Sequence, residues 1–471
     1  MIPPSTPRRS RNKAAPLNQL DPSRRIDDPI NEVVPQPELP APVLPPALEA
    51  IRAAFDQEKD NRPALWRTLP NIGFAPLLWS EGQARAQKMA AALVSLGLKP
   101  GDRVILTASG DWPTALIAAL TAGGEISVFE SDPSVLLPIA RALNARFILS
   151  DTLGVEALKA ALGKARGAPR LASDESLLSR APTEPDAPFV QPSSKAALFV
   201  ASDSTKSKRA VTASCFSLAH QPLFDLCQRF LKLFALTRDD HVLSILSPSQ
   251  PAMLSAGFFA PLMAGATLQL DPGAPLDSRQ LTVFRPTVVI ATRAQWQQLG
   301  ERIEAQLDAG STRGRWARDV ALRRNEWEAA DKPIPPSTKL KYRLGQRLAI
   351  APLKRLFGLS RVRLAIVADA VQAPLDPSLA AAFAAIDLPL HALAGSPASF
   401  GLAFANVPAS SERGSALGRP FPGLQARLDD QGALWIKGPT IAPEALEHGQ
   451  DGWIRALDQA ELDFTGFVHA R

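Results

Sequence analysis

Between Ser80 and Leu149 the chain alternates three helix-length segments with three short apolar runs, and few architectures other than α/β accept that pattern. Ser80 followed by Gln83 is a capping-box signal opening a helix through Leu96; Gly97 supplies a stop and Pro100-Gly101 a turn. Arg103 to Ala108 reads as a buried strand. The spacing then predicts a helix over 113–122, a strand over 126–129, a helix over 134–143 and a strand over 146–149. Strands joined by helices of this length form βαβ units around a parallel sheet.

A second set of apolar runs follows at 197–200, 241–245, 267–270, 288–291 and 362–367, interrupted by a loop-rich stretch over 303–361. After residue 411 the texture changes to GSALGRPFPGLQARLDDQGALWIKGP, short strands joined by Gly and Pro turns, as in a small β-subdomain. Residues 1–45 are basic and Pro-rich with little apolar content, so ordering them has little to offset its entropy, and a disordered tail is expected. The chain therefore divides into a tail (1–45), a first α/β subdomain (46–190), a second with a basic insertion at 303–361 (191–410), and a small β-subdomain (411–471). No internal repeat is present.

With 471 residues and 46% apolar composition the chain can bury a substantial core. Cys215 and Cys227 are too few for a disulfide framework, and no CxxC pattern exists to hold zinc or haem. The N-terminus carries charge with no apolar run behind it, and no later stretch reaches about 18 uninterrupted apolar residues. A cytoplasmic protein is expected. Its basic excess concentrates in the first 25 residues and between Arg313 and Arg363, so a solvated face is one reading and contact with the inner face of a membrane or with an acidic partner another.

The run LLWSEGQARAQKMAAALVSLGLKPGDRVILTASGDWPTALIAALTAGGEISVFESDPS resembles the N-terminal lobe of the adenylate-forming superfamily of acyl-CoA synthetases and peptide-synthetase adenylation domains. Further pieces recur in order: VASDSTKSKRAV at the phosphate-loop position, PLMAGATLQL, GSALGRPFPG, WIKGP and DGWIRALD. The long insertion before Arg361 is most similar to the long-chain acyl-CoA synthetase branch. This resemblance covers about residues 50 to 471 and implies an α/β fold of two βαβ-type subdomains plus a small β-subdomain. It also implies a reaction that joins a carboxylate to AMP and passes the acyl group to a thiol. The chain stops at Arg471, about where the family's hinge into a lysine-bearing C-terminal domain begins, so these residues are not expected to complete both steps alone.

Glycines in a phosphate loop let backbone N–H groups approach the phosphates and allow positive φ. The family pattern TSGTTGxPKG falls on Ala201 to Ala210, where its glycines become Asp203, Lys206 and Ala210 and its lysine becomes Arg209. A carboxylate about 4 Å from a phosphate oxygen is repelled by about 4 kcal/mol at an effective dielectric of 20, roughly a thousandfold in affinity. Ser204, Thr205, Lys206, Lys208 and Arg209 are the residues left to contact an anion there, and an ordinary solvated basic turn is the alternative.

The family's adenine-binding turn falls on Val371-Gln372-Ala373-Pro374-Leu375, with both close-approach glycines replaced. Its YGxTE motif, whose Glu helps hold magnesium, falls on Ala394-Gly395-Ser396-Pro397-Ala398, where only the glycine remains. Magnesium prefers carboxylates, and Ala398 offers none; Ser396 and Ser399 read as turn residues or as substitute ligands. Asp458 matches the ribose-binding aspartate, with a strand-end structural role as the alternative.

No Walker loop, HExxH or GxSxG elbow is present, and His220, His241 and His391 have no catalytic partner at local spacing. Residues 339–363 interleave Leu, Ile and Phe with Lys and Arg, compatible with an amphipathic helix broken at Pro352 that packs on the sheet or touches lipid headgroups. Nucleic acid is not expected, because aromatic residues are sparse there and no recognition motif occurs.

Three readings follow from these residues. The first is an acyl-CoA-synthetase-like protein without adenylation activity, needing no cofactor and no metal. It would act as a scaffold, regulator or partner of another protein, such as an active acyl-CoA synthetase or an acyl-carrier protein. The second is a divergent long-chain acyl-CoA or acyl-carrier-protein synthetase using ATP and Mg. The third is a membrane-surface adaptor acting through 339–363.

Overall fold

The computed structural model describes residues 44–56, 63–69, 73–130, 132–162, 168–180, 195–202, 213–248, 250–309, 312–329, 333–369, 374–407, 416–446, 451–463 and 466–470. All but two residues of the Pro-rich tail expected over 1–45 lie outside them.

Two α/β layers account for the alternation. The first is a six-stranded sheet in the order Arg170–Ser173, Phe147–Ser150, Arg103–Thr107, Glu125–Phe129, Lys195–Ser202, Ala213–Ala219. Its strands run parallel except the last, which folds back antiparallel on Lys195–Ser202. The second sheet has eleven strands around a parallel centre of Leu390–Ala394, Leu364–Asp369, Val288–Ala291, His241–Ser244 and Thr267–Leu270. A three-stranded antiparallel sheet of Gln425–Leu428, Leu434–Lys437 and Ile454–Leu457 forms the small β part.

Sheet membership does not follow the division drawn from sequence. The hairpin at 195–219 completes the first sheet, and the antiparallel pair Pro63–Leu69 and Gly73–Leu78 sits on the edge of the second. Similarly, Ala416–Pro420, Ala460–Leu462 and Val468–Ala470 extend the large sheet at its other edge. All described residues belong to one compact unit, Pro42–Arg471.

Both faces of the large sheet are covered, which explains its uninterrupted apolar runs. Val288 and Ile290 enter one core cluster while Val289 and Ala291 enter the other. Strand Leu364–Asp369 divides the same way, with Ile366 and Ala368 on one side and Ala365 and Val367 on the other. In these two strands the period-two alternation is thus spent on two apolar layers, whereas Thr267–Leu270 alternates Leu268 and Leu270 with buried Thr267 and Gln269.

The helix expected over 80–96 spans Trp79–Ser95, and its capping box is not formed. Leu78 is the extended residue at the start and no side chain caps the helix, because Trp79 is drawn into the core and stacks on Phe55 with ring centroids 5.6 Å apart. Gly97 ends it as expected, in the left-handed region at φ +90°, with its N–H on the Val94 carbonyl at 2.8 Å.

The stretch over 303–361 is helical where a loop-rich segment was expected. Helices Arg293–Ala309, Thr312–Ala329 and Pro336–Gly345 fill most of it. Thr312–Ala329 is polar nearly all round, so no apolar stripe announced it; packing on Pro336–Gly345 and Pro377–Ala385 supports it. Pro352 does not break its helix either. A π turn over Gln346–Ile350 precedes Ala351–Leu356, and this places Pro352 in the first turn of a new α segment, where no N–H is required. Cys215 and Cys227 form no disulfide, and no helix among the described residues is long and apolar enough to cross a membrane.

Candidate functional site

The phosphate-loop position is carried by the hairpin of Lys195–Ser202 and Ala213–Ala219. Its register runs from Lys195 opposite Ala219 to Ser202 opposite Ala213, and residues 203–212 join the two strands in sequence. That connection holds Ser204, Thr205, Lys206, Lys208 and Arg209, all of which lie outside the described residues, as do Asp203 and residues 371–373 of the adenine turn.

Two described segments meet this hairpin. The short 3-10 turn Pro397–Ser399, which contains the magnesium-motif position, lies beside Lys195–Ser202. The short helix Pro443–Leu446 packs on Ala213–Ala219. A backbone hydrogen bond from Ala442 N–H to the Ala398 carbonyl, at 2.8 Å, ties the two segments together. Sequence motifs nearly 200 residues apart are therefore neighbours in space.

Glu444 makes the most specific polar contact here. Its carboxylate accepts the Ser217 backbone N–H at 2.9 Å through Oε2 and the Ser217 hydroxyl through Oε1. Ser217 is 1% exposed, so the carboxylate satisfies donors that would otherwise be buried without a partner. Sequence reading did not single out Glu444, since the two residues are 227 positions apart and neither belongs to a recognisable motif.

Strand Leu390–Ala394 leads into Gly395, whose backbone is pressed against the chain that returns at 401–403. A Cβ on Gly395 would stand 2.4 Å from the Gly401 carbonyl carbon and 2.7 Å from the Leu402 nitrogen. Ser396 turns the chain: its carbonyl accepts the Ser399 N–H, the Gly401 N–H and the Ser399 hydroxyl, each at 3.1 Å. Ser399 is fully buried in that bond and serves the turn. At the position of the family's magnesium glutamate stands the Ala398 methyl, 7% exposed.

The residues present do not fit a magnesium ion at this position. Ala398 presents no ligand, and among the described residues no group of three or more His, Cys, Asp or Glu side chains is arranged to hold a metal. On the adenine side, Pro374 directs its carbonyl to the Arg293 guanidinium at 2.5 Å, and Leu375 is buried in the second core cluster. Asp458 lies in the bend after Ile454–Leu457 with 87% of its side chain exposed, paired with Arg455 three residues earlier at 3.2 Å.

A second polar cluster lies at the carboxyl ends of Arg103–Thr107 and Phe147–Ser150, where the strand order of the first sheet reverses and α/β proteins commonly bind ligands. Here the crevice is filled by its own bonds. Thr107 Oγ1 lies 2.7 Å from Ser150 Oγ and 2.8 Å from Ser109 Oγ, while Arg85 pairs with the buried Asp111 at 2.9 Å. The remaining cavity is about 10 Å³, room for one water at most.

His220 and His391 are not poised as bases. Burial lowers the pKa of both His220 and His391 to about 4, leaving them neutral. Neither His220 Nε2 nor His391 Nδ1 has a hydrogen-bond partner among the described residues.

Comparison with known proteins agrees with this architecture. The family model of the AMP-binding enzymes matches residues 53–444. The putative fatty-acid–CoA ligase fadD11 of Mycobacterium tuberculosis is 24% identical over 49% of this chain, and the match spans only 42% of that relative's own length. Long-chain-fatty-acid–CoA ligase FadD15 of Mycobacterium bovis is 23% identical over 88% of the chain and 72% of the relative. In fold, the N-terminal domain of FACL13 from Mycobacterium tuberculosis superimposes with a TM-score of 0.68 at 15% identity, over 91% of this chain and 99% of that domain. The match of the family model over most of the length places this chain in the AMP-binding enzyme family.

Proposed function

We propose that this chain is an acyl-CoA-synthetase-like member of the family that does not adenylate a carboxylate and instead acts on another protein as a scaffold, regulator or partner. The observation that carries this reading is Ala398. At the position where the family's chemistry needs a carboxylate for magnesium, a buried methyl group packs, and the backbone around it is committed to the Ala442 contact. The sequence of the loop agrees, with Asp203 at a position where the family pattern has glycine, since a carboxylate close to a phosphate repels it.

The test is calorimetric titration of the chain with ATP and magnesium into the millimolar range, run beside a pyrophosphate-release assay over a panel of fatty acids. The expected result is no saturable heat and no release. Release that disappears in Arg209→Ala would overturn the proposal.

One observation favours a second reading, a divergent acyl-CoA or acyl-carrier-protein synthetase. The strand that leads into the loop position, Lys195–Ser202, lies beside the 397–399 turn, and the loop sequence offers Lys206, Lys208 and Arg209 as phosphate ligands. The similarity to FadD15 over most of the chain also supports it. The same assay separates the readings, because only the synthetase consumes ATP.

A further inference from the structure

The helical run from Pro336 to Leu356 presents two unlike faces. Inward, Ile350 and Leu353 are buried in the second core cluster, which the following Phe357 also joins. Tyr342 fixes the run to its neighbour: the Arg324 guanidinium lies over its ring at 4.3 Å, and its hydroxyl accepts from Gln346 Nε2 at 2.7 Å. The helix is thus held by one side and cannot roll to hide the other.

Outward, Leu340, Leu344, Leu348 and Leu356 are 61%, 46%, 59% and 57% exposed. The first three follow at four-residue spacing, and the π turn takes up the extra residue that would otherwise carry the row around the helix. A basic residue precedes each leucine: Lys339, Arg343, Arg347 and Arg355, all exposed. Among the described residues none of these four pairs with a carboxylate, whereas Lys354 reaches the Asp387 carbonyl and Arg363 pairs with Asp240. Residues 336–363 contain eight basic side chains and no acidic one.

We propose that this face is a docking surface for an anionic lipid bilayer. The leucine row would enter the boundary between headgroups and acyl chains, and the adjoining basic row would meet the headgroup charge. A straight apolar row about 24 Å long, from 340 to 356 at 1.5 Å per residue, suits a planar boundary. Long cationic side chains beside it can keep their charge at the surface while their stems follow the leucines inward. Nucleic acid matches the basic row but gives the leucines no partner. The inference stands apart from whether the chain adenylates a substrate.

Flotation of the full chain with vesicles tests it, using phosphatidylcholine mixed with phosphatidylglycerol beside phosphatidylcholine alone. Binding is expected only to the anionic vesicles and is expected to weaken as salt is raised. Arg343→Gln together with Arg347→Gln should lower the partition coefficient about 25-fold, roughly fivefold for each cation removed. Leu340→Ser, Leu344→Ser and Leu348→Ser combined should lower it by more than about tenfold. Because all five positions are exposed, thermal unfolding should stay as in the parent, and the charge variant alone suffices for the test if the leucine variant does not fold. No binding, equal binding to both vesicles, or binding indifferent to the charge variant would overturn the proposal. So would a folded leucine variant that binds like the parent, since it would mark a purely electrostatic contact with some acidic polymer.

Discussion

Acidification should unfold this protein through its buried imidazoles, and His220 allows the effect to be isolated. It opens the helix His220–Phe234 with 1% of its surface exposed, and burial lowers its pKa from 6.5 to about 4. In the folded chain the ring therefore stays neutral down to about pH 4, while in the unfolded chain it takes up a proton below about pH 6.5. The lowered pKa fixes the sign: stability from this group is intact above the unfolded value and is lost as pH falls from there toward the folded one. At about 1.36 kcal/mol per pH unit, moving from pH 7 to pH 4.5 costs roughly 2 kcal/mol for His220. A similar loss at His391 brings the total to a large part of the ~5–15 kcal/mol that holds a typical domain together. The assay is urea unfolding at both pH values, for the parent and for His220→Gln, which cannot titrate. Carboxylates titrate in the same window, but they do so in both proteins and cancel. The loss between the two pH values should be smaller by about 2 kcal/mol in the variant. Equal losses in the two proteins would refute the reasoning, by showing that the imidazole is protonated within the folded state.

Two further substitutions probe the candidate site. Gly395→Ala forces a methyl within 2.4 Å of the Gly401 carbonyl carbon, which is backbone and cannot swing away; denaturant unfolding should show a loss of about 3 kcal/mol. Glu444→Ala strands the buried Ser217 N–H, so the same measurement should show a loss of about 1–3 kcal/mol, partly recovered in Glu444→Gln, whose amide oxygen still accepts.

Local signals gave the core of the fold and failed at long range. The central strands were legible because each is a short apolar run between turn residues, and the observed Arg103–Thr107, Thr267–Leu270 and Val288–Ala291 fall where expected. Thr312–Ala329 was not, because a helix polar on nearly all sides leaves no period to read. The capping box at Ser80 failed for a different reason: burial of Trp79 set the helix start, and tertiary packing outweighed a cap worth about 1 kcal/mol. The Ser217–Glu444 contact left no trace, since nothing in either local sequence refers to the other.

The glycines separate what the family's motifs do for the fold from what they do for a ligand. At Gly418 a Cβ would lie 2.2 Å from the Ala405 carbonyl carbon, with φ at +119°, so the strand pairing itself admits no side chain there. Gly395 is constrained in the same way by the chain returning at 401–403. Both glycines are kept, whatever the site binds. At 203, 206 and 210 the family's glycines answer to a phosphate, and this chain has Asp, Lys and Ala there while the hairpin behind them stays paired through to Ser202 and Ala213. The same contrast explains Ala398, where the fold asks only for a turn and a carbonyl, and alanine supplies both. A motif's survival in this chain therefore reports backbone crowding first, and only its ligand-facing positions bear on chemistry.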